Sequence, residues 1–92
     1  MYKILIVEDD PVIASSLARQ LTRWNYEATY VQEFDHVMQE FEKAQPDLVL
    51  MDITLPYFSG YYWCAEIRKI SRVPVLFLSS AHPFFLPLRL QP

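Results

Sequence analysis

The chain has 92 residues, 52% of them hydrophobic, and a formal net charge of −3 at pH 7. This length and composition predict one small domain with a packed core and exclude a disordered segment. There is no stripe or block of Lys and Arg, so we do not expect this segment to contact nucleic acid directly. The single Cys64 cannot form an internal disulfide, and we find no signal peptide or long apolar segment; both predict a cytoplasmic domain without a membrane span.

The first predicted elements are a strand and an amphipathic helix. The aliphatic run within Lys3–Val7 predicts a buried strand. We expect Asp10 to cap a helix whose first residue is Pro11, because proline already has a helical φ and lacks the N–H that would stay unbonded there. Apolar residues recur every three or four positions as far as Trp24, and Asn25 then suits the left-handed conformation common at helix ends.

Strands and helices keep alternating after this point. The pattern predicts strands over 27–31, 48–51 and 75–78, a helix ending near Ala44 and a helix over 61–70. This alternation predicts an α/β fold, a doubly wound parallel sheet with right-handed crossovers. Helical spacing of the aromatic residues predicts core packing for Trp24, Tyr61, Tyr62 and Trp63.

Carboxylates follow two of the predicted strands directly. Glu8 and Asp9 come after the first strand, and Asp52 comes after the third. The carboxyl ends of neighbouring parallel strands meet at one edge of a sheet, so these groups would repel one another unless they shared a divalent cation such as Mg²⁺. Asp9 would bind the ion directly and Glu8 through water. Asp52 could then act as a nucleophile that forms an aspartyl phosphate.

A serine ends the fourth predicted strand on the same edge. The hydroxyl of Ser79 could bind a phosphoryl oxygen, or it could simply satisfy local backbone groups. Position alone leaves these two interpretations open.

Three segments carry a family resemblance. Residues 3–11, 47–56 with Gly60, and 73–80 resemble the receiver domain of bacterial two-component response regulators, over about residues 1–80. Residues 62–80 further resemble the winged-helix transcription-factor branch that responds to bacitracin and other cell-wall-active peptide antibiotics. The resemblance implies a flavodoxin-like receiver fold with strand order 2-1-3-4.

The resemblance also implies roles for individual residues. Asp52 would accept a phosphoryl group from a sensor histidine kinase, and Glu8, Asp9, Asp52 and the backbone carbonyl of Thr54 would hold Mg²⁺. The Thr54 side chain would influence the lifetime of the phosphoryl group, and Ser79 would be the switch hydroxyl. The full-length protein would regulate transcription through a separate DNA-binding domain and would not be an enzyme.

The end of the chain departs from the family pattern. We expect a receiver domain over 1–80, truncated after the fourth strand, and an atypical apolar, proline-containing tail over 81–92. The resemblance implies a lysine at the end of a fifth strand that bridges to the phosphoryl group. No lysine follows Lys69 here, so we expect this stabilising cation to be missing and phosphoryl transfer to be weak. The fourth strand would be an exposed apolar edge, which predicts self-association through that edge or through the tail.

Two other functions remain open. Without the lysine, the chain could be a phosphorylation-inert dimerisation or binding module that keeps the fold. An Mg²⁺-dependent phosphatase with Asp52 as nucleophile, like the haloacid dehalogenase folds, is a further alternative. Those folds typically carry a second aspartate two residues later, where this chain has Thr54.

Overall fold

The structure, a computed structural model, describes residues 1–78 and the backbone of residues 89–91. In this part of the chain five strands and three helices occur in the order β1 (Lys3–Val7), α1 (Pro11–Arg23), β2 (Glu27–Tyr30), α2 (Val37–Ala44), β3 (Leu48–Asp52), α3 (Gly60–Arg68), β4 (Val75–Leu78) and β5 (Arg89–Gln91). None of these helices has the length and apolar character needed to cross a lipid bilayer.

The first four strands form a parallel sheet in the predicted order. The sheet runs β2-β1-β3-β4-β5, so β1 and β3 are neighbours. They pair in parallel with Ile4 opposite Leu48 and Val7 opposite Met51. Because both strands run the same way in this register, the residues that follow Val7 and Met51 emerge at the same edge of the sheet.

The sequence predicted that the sheet ends at β4, but the sheet continues with β5. β5 pairs with β4 in antiparallel orientation, with Val75 opposite Gln91 and Phe77 opposite Arg89. The returning chain thus pairs with N–H and C=O groups of β4 that would otherwise have no strand beside them. The prediction that the edge of β4 is exposed is therefore wrong over residues 75–77. A strand of three residues is too short to show a period in the sequence. The rest of the predicted tail, residues 81–88 and 92, lies outside the described residues.

Apolar side chains cover both faces of the sheet, which explains the unbroken aliphatic runs of β1 and β3. On one face, residues such as Ile4 and Ile6 pack with Ala14 of α1. On the other face, Leu5 and Val7 pack in a larger cluster with α2 and α3. The doubly wound arrangement predicted from the alternation is therefore present.

Both ends of α1 form as predicted. The Asp10 side chain accepts hydrogen bonds from the N–H groups of Val12 at 2.9 Å and Ile13 at 3.4 Å. Pro11 occupies the first helical position. Asn25 follows the helix with a φ of 68°, the left-handed conformation expected of it.

Only one of the four aromatic residues predicted to lie in the core is buried. Trp63 is 6% exposed, whereas Trp24, Tyr61 and Tyr62 are 61%, 54% and 40% exposed. Trp24 caps the end of α1 beyond its apolar stripe. In α3 the core-facing side begins at Trp63, and the two tyrosines precede it on the first turn. Helical spacing alone does not specify which side of a short helix faces the sheet.

Candidate functional site

Three carboxyl groups come together where β1 and β3 end. Asp52 is the last residue of β3, and Glu8 and Asp9 directly follow β1. One side-chain oxygen from each residue lies within 4.8 Å of those of the other two. Glu8 and Asp52 are only 2% and 1% exposed, and Asp9 faces solvent. The structure thus brings together the three acidic residues that the sequence predicted to share an edge. We call these three residues the acidic site.

The buried position of Glu8 changes its acidity. Burial raises the pKa of Glu8 to about 7, and the neighbouring Asp52 and Asp9 contribute in the same direction, while the N–H of Asp10 opposes the shift. That N–H donates to Oε2 of Glu8 at 3.0 Å. The other oxygen, Oε1, is buried without a hydrogen-bond partner among the described residues. Clustered carboxylates with an unsatisfied buried oxygen form a donor set that suits a hard divalent cation.

Backbone contacts fix the position of Asp52. Its Oδ1 accepts a hydrogen bond from the N–H of Thr54 at 3.3 Å. Asp52 lies opposite Leu78 of β4, and the N–H of Ile53 donates to the Leu78 carbonyl at 3.2 Å. Thr54 itself is exposed next to the site. The carboxylate therefore lies at the bottom of the site between two flanking strands.

Gly60 allows α3 to begin directly against the acidic site. Its N–H donates to the carbonyl of Ile53 at 2.8 Å. A Cβ atom at this position would collide with the carbonyl oxygen of Asp52 and lie 2.9 Å from Cγ of Met51. The sequence placed Gly60 in the loop after β3 but did not reveal this contact. The available signal was that this is the only glycine in the chain.

The loop between β3 and α3 carries local strain and an exposed aromatic surface. Tyr57 has a φ of 69°, a conformation that costs a non-glycine residue free energy. The N–H of Phe58 donates to the Pro56 carbonyl at 2.9 Å across this turn. The rings of Phe58 and Tyr62 stack with centroids 4.3 Å apart. Ser59 caps α3 by accepting a hydrogen bond from the N–H of Tyr62 at 3.2 Å.

A second group of possible metal ligands lies elsewhere. Glu33, Asp35 and His36 also place ligand atoms within 4.8 Å of one another. All three are exposed and close in sequence, and Nδ1 of His36 lies 3.0 Å from Oδ1 of Asp35. This group has no buried carboxylate, so it lacks the feature that distinguishes the acidic site. Ser79, the predicted switch hydroxyl, lies outside the described residues.

Sequence comparison identifies a family match over most of the chain. Residues 4–85 match the response regulator receiver domain. The chain is 42% identical to the sensory transduction protein BceR of Halalkalibacterium halodurans over 92 residues, covering 99% of this chain and 40% of that protein. It is 48% identical to the uncharacterized transcriptional regulatory protein YvcP of Bacillus subtilis over 80 residues, covering 87% of this chain and 34% of that protein. The chain thus spans well under half the length of these relatives.

Solved structures give the same result. The N-terminal domain of the nisin resistance regulator NsrR, a lantibiotic response regulator, is 49% identical with a TM-score of 0.81, covering 91% of this chain and 71% of that one. The complex of histidine kinase ThkA with response regulator TrrA matches at 29% identity and a TM-score of 0.80, covering 91% and 73%. TrrA of Thermotoga maritima in complex with Mg²⁺ and BeF is 31% identical with a TM-score of 0.73, and the match covers 84% of this chain and 66% of that one. These matches confirm the resemblance found in the sequence.

Proposed function

The chain belongs to the response regulator receiver domain family, and from this premise we propose that Asp52 accepts a phosphoryl group from a sensor histidine kinase. The observation that carries the proposal is the convergence of Glu8, Asp9 and Asp52 at one edge of the sheet. A relative in this family, TrrA, has been solved in complex with a histidine kinase, which supports a kinase as the phosphoryl donor.

In the proposed reaction the carboxylate of Asp52 is the nucleophile. One of its oxygens forms a bond to phosphorus while the P–N bond of the donor phosphohistidine breaks, and the electron pair of that bond returns to the imidazole. The product is an acyl phosphate on Asp52. The N–H of Thr54, 3.3 Å from Oδ1, holds the carboxylate in a fixed orientation for this attack.

We propose that Glu8, Asp9, Asp52 and the backbone carbonyl of Thr54 hold Mg²⁺. Within the described part of the chain, the buried Oε1 of Glu8 has no hydrogen-bond partner, and this oxygen and the crowding of three carboxylates fit such an ion. TrrA has been solved with Mg²⁺. When bound, the cation neutralises the carboxylates and the incoming phosphoryl oxygens. Glu8 would take part through a water molecule, and Asp9 would bind the ion directly from its exposed position.

Two hydroxyl groups complete the proposed site. Ser79 directly follows β4, which ends beside Asp52, and is proposed as the hydroxyl that binds the phosphoryl group. Thr54 is exposed next to the nucleophile, and its side chain influences how readily water reaches the acyl phosphate.

In the wider proposal, this segment is the regulatory part of a transcription regulator. We assign the receiver domain to residues 1–80 and an atypical tail to 81–92. We propose that a separate DNA-binding domain of the full-length protein regulates transcription in the cytoplasm. The relative YvcP is named a transcriptional regulatory protein, which supports the role in transcription. The segment itself is a phosphoryl acceptor and not a multiple-turnover enzyme.

The test is phosphorylation by a small donor. The chain is incubated with acetyl phosphate and Mg²⁺, and intact mass spectrometry measures the fraction that gains one phosphoryl group. We expect an adduct that is labile to alkali, absent in Asp52→Asn and retained in the control Asp35→Asn, which changes an exposed aspartate outside the acidic site. An adduct that survives in Asp52→Asn would overturn the assignment.

A phosphorylation-inert binding module that keeps the receiver fold is the second candidate. In that case the same experiment gives no adduct, and calorimetric titration detects no Mg²⁺ binding. Continuous phosphate release over many turnovers would instead favour the phosphatase, although Thr54 occupies the position where that chemistry typically places a second aspartate.

A further inference from the structure

One edge of the sheet carries backbone groups that point away from it. In the sheet order β2 lies at the end and pairs only with β1. The N–H of Glu27 donates to the Tyr2 carbonyl at 2.9 Å, and the N–H of Val31 donates to the Ile6 carbonyl at 3.0 Å. Alternate residues of a parallel strand face the same neighbour, so positions 27, 29 and 31 face β1.

The residues between them face outward. Ala28 and Tyr30 direct their N–H and C=O groups away from β1, and no other described strand lies on that side. Many proteins protect such an edge with proline or lysine, but β2 contains neither, and its one charged residue is Glu27 at its start. A groove of about 670 Å³ lies between β2 and α2.

We propose that two copies of this chain pair through β2, in antiparallel orientation, around a two-fold axis at Thr29. In this register Thr29 lies opposite Thr29 of the partner subunit. Ala28 lies opposite Tyr30 of the partner subunit, and these two residues exchange both backbone hydrogen bonds because their groups already face outward. The two sheets then form one continuous sheet.

Side chains favour this pairing on both faces. Thr29 is exposed, so two threonine hydroxyls meet at the axis, where such pairs can hydrogen-bond. On the opposite face, the exposed ring of Tyr30 covers the half-buried Ala28 of the partner subunit. A small residue thus faces a large one across the axis in both directions.

Charge disfavours the register with Ala28 on the axis relative to the proposed one. With Thr29 on the axis, the two Glu27 residues are four positions apart along the strand direction, ~13 Å, which exceeds the screening length at physiological salt. With Ala28 on the axis, the same carboxylates would be only ~7 Å apart along the strand. The first register therefore avoids most of the repulsion.

The proposed pairing is independent of the phosphoryl chemistry. Asp52 lies on β3, and β1 separates β3 from β2. Pairing through β2 therefore leaves the acidic site open, and the two proposals can fail separately.

Sedimentation equilibrium of the 92-residue chain tests the pairing. Because the contact is small, we expect weak association. The average mass should stay near 10.9 kDa in dilute solution and rise as the chain concentration increases from ~0.05 to ~1 mM. Thr29→Lys and Thr29→Glu should each remain monomeric, since like charges would meet on the axis, and their equimolar mixture should associate at least as well as the wild type. The control Gln39→Lys adds the same charge on α2, away from the edge, and should associate like the wild type.

Cysteine cross-linking provides a second measurement that captures weak pairing. In the proposed register the Cα atoms of the two position-29 residues are ~4.5 Å apart, within disulfide range. Thr29→Cys should form disulfide-linked dimers severalfold faster than Gln39→Cys under mild oxidation. Both variants retain the buried Cys64, so any cross-linking through that residue is the same in the two. Equal rates for these two variants, or a dimer that Thr29→Lys leaves unchanged, would overturn the proposal.

Discussion

The buried carboxyl groups of Glu8 and Asp52 place oxygen atoms within 4.8 Å of each other although they belong to different strands. The parallel register of β1 and β3, with Val7 opposite Met51, produces this contact. Two carboxylates so close together and so little exposed cannot both be charged without cost. The predictions about ionisation and metal binding follow from this relationship.

The first prediction concerns pH. Burial, reinforced by the neighbouring aspartates, raises the pKa of Glu8 from 4.5 to about 7. A carboxyl group with a raised folded-state pKa binds its proton more tightly when folded, so its stabilising contribution is complete below pH 4.5 and is lost as the pH rises towards 7. We expect the free energy of unfolding of the metal-free chain to fall by up to about 3 kcal/mol across this window.

The variant Glu8→Gln isolates this effect because its side chain stays neutral at every pH. Urea unfolding at about pH 5 and about pH 8 should show a smaller decrease in the free energy of unfolding for the variant than for the wild type. If the two proteins lose stability in parallel, Glu8 does not titrate as described.

The second prediction concerns Mg²⁺. An ion that binds the folded chain alone should raise the free energy of unfolding, by about 2.7 kcal/mol at a hundredfold excess over its dissociation constant. Thermal unfolding with and without Mg²⁺ measures this gain. Asp9→Asn should lose most of it, whereas Asp35→Asn, in the other acidic group, should keep it. The reverse result would place the cation at the exposed group instead.

The third prediction concerns Gly60. Gly60→Ala introduces a Cβ that collides with the Asp52 carbonyl and the Met51 side chain. We expect the variant to lose about 1–3 kcal/mol of stability and to react more slowly with acetyl phosphate, because the first turn of α3 must move away from the site. Ala65→Ser, on the exposed side of the same helix, is the control and should change stability by less than about 0.5 kcal/mol. Normal stability in Gly60→Ala would mean that α3 adjusts freely.

The fourth prediction concerns the end of α1. Asn25 has a φ of 68°, which alanine tolerates poorly and glycine adopts readily. Asn25→Ala should lower the free energy of unfolding by about 1 kcal/mol, and Asn25→Gly should leave it nearly unchanged or raise it slightly. Urea denaturation of both variants provides the measurement. Equal losses would point to the side chain of Asn25 instead of its backbone conformation.

Much of this structure could be predicted from local sequence. β1 and β4 have the predicted bounds, and Asp10, Pro11 and Asn25 have their predicted places at the ends of α1. Each of these features depends on a few adjacent residues, such as an aliphatic run, a capping carboxylate or a residue that tolerates positive φ. The acidic site could be predicted as well, because parallel strands in this order bring the ends of β1 and β3 to one edge.

Other features depended on contacts between residues far apart in the chain. The exposure of Tyr61 depended on which side of α3 faces the sheet. The pairing of β5 with β4 depended on a returning segment that is too short to show a period in the sequence. The sequence determined that carboxylates follow two buried strands. Only the tertiary structure decided how deeply Glu8 is buried, and therefore how far its pKa rises, because desolvation depends on everything packed around a group and not on its neighbours in sequence.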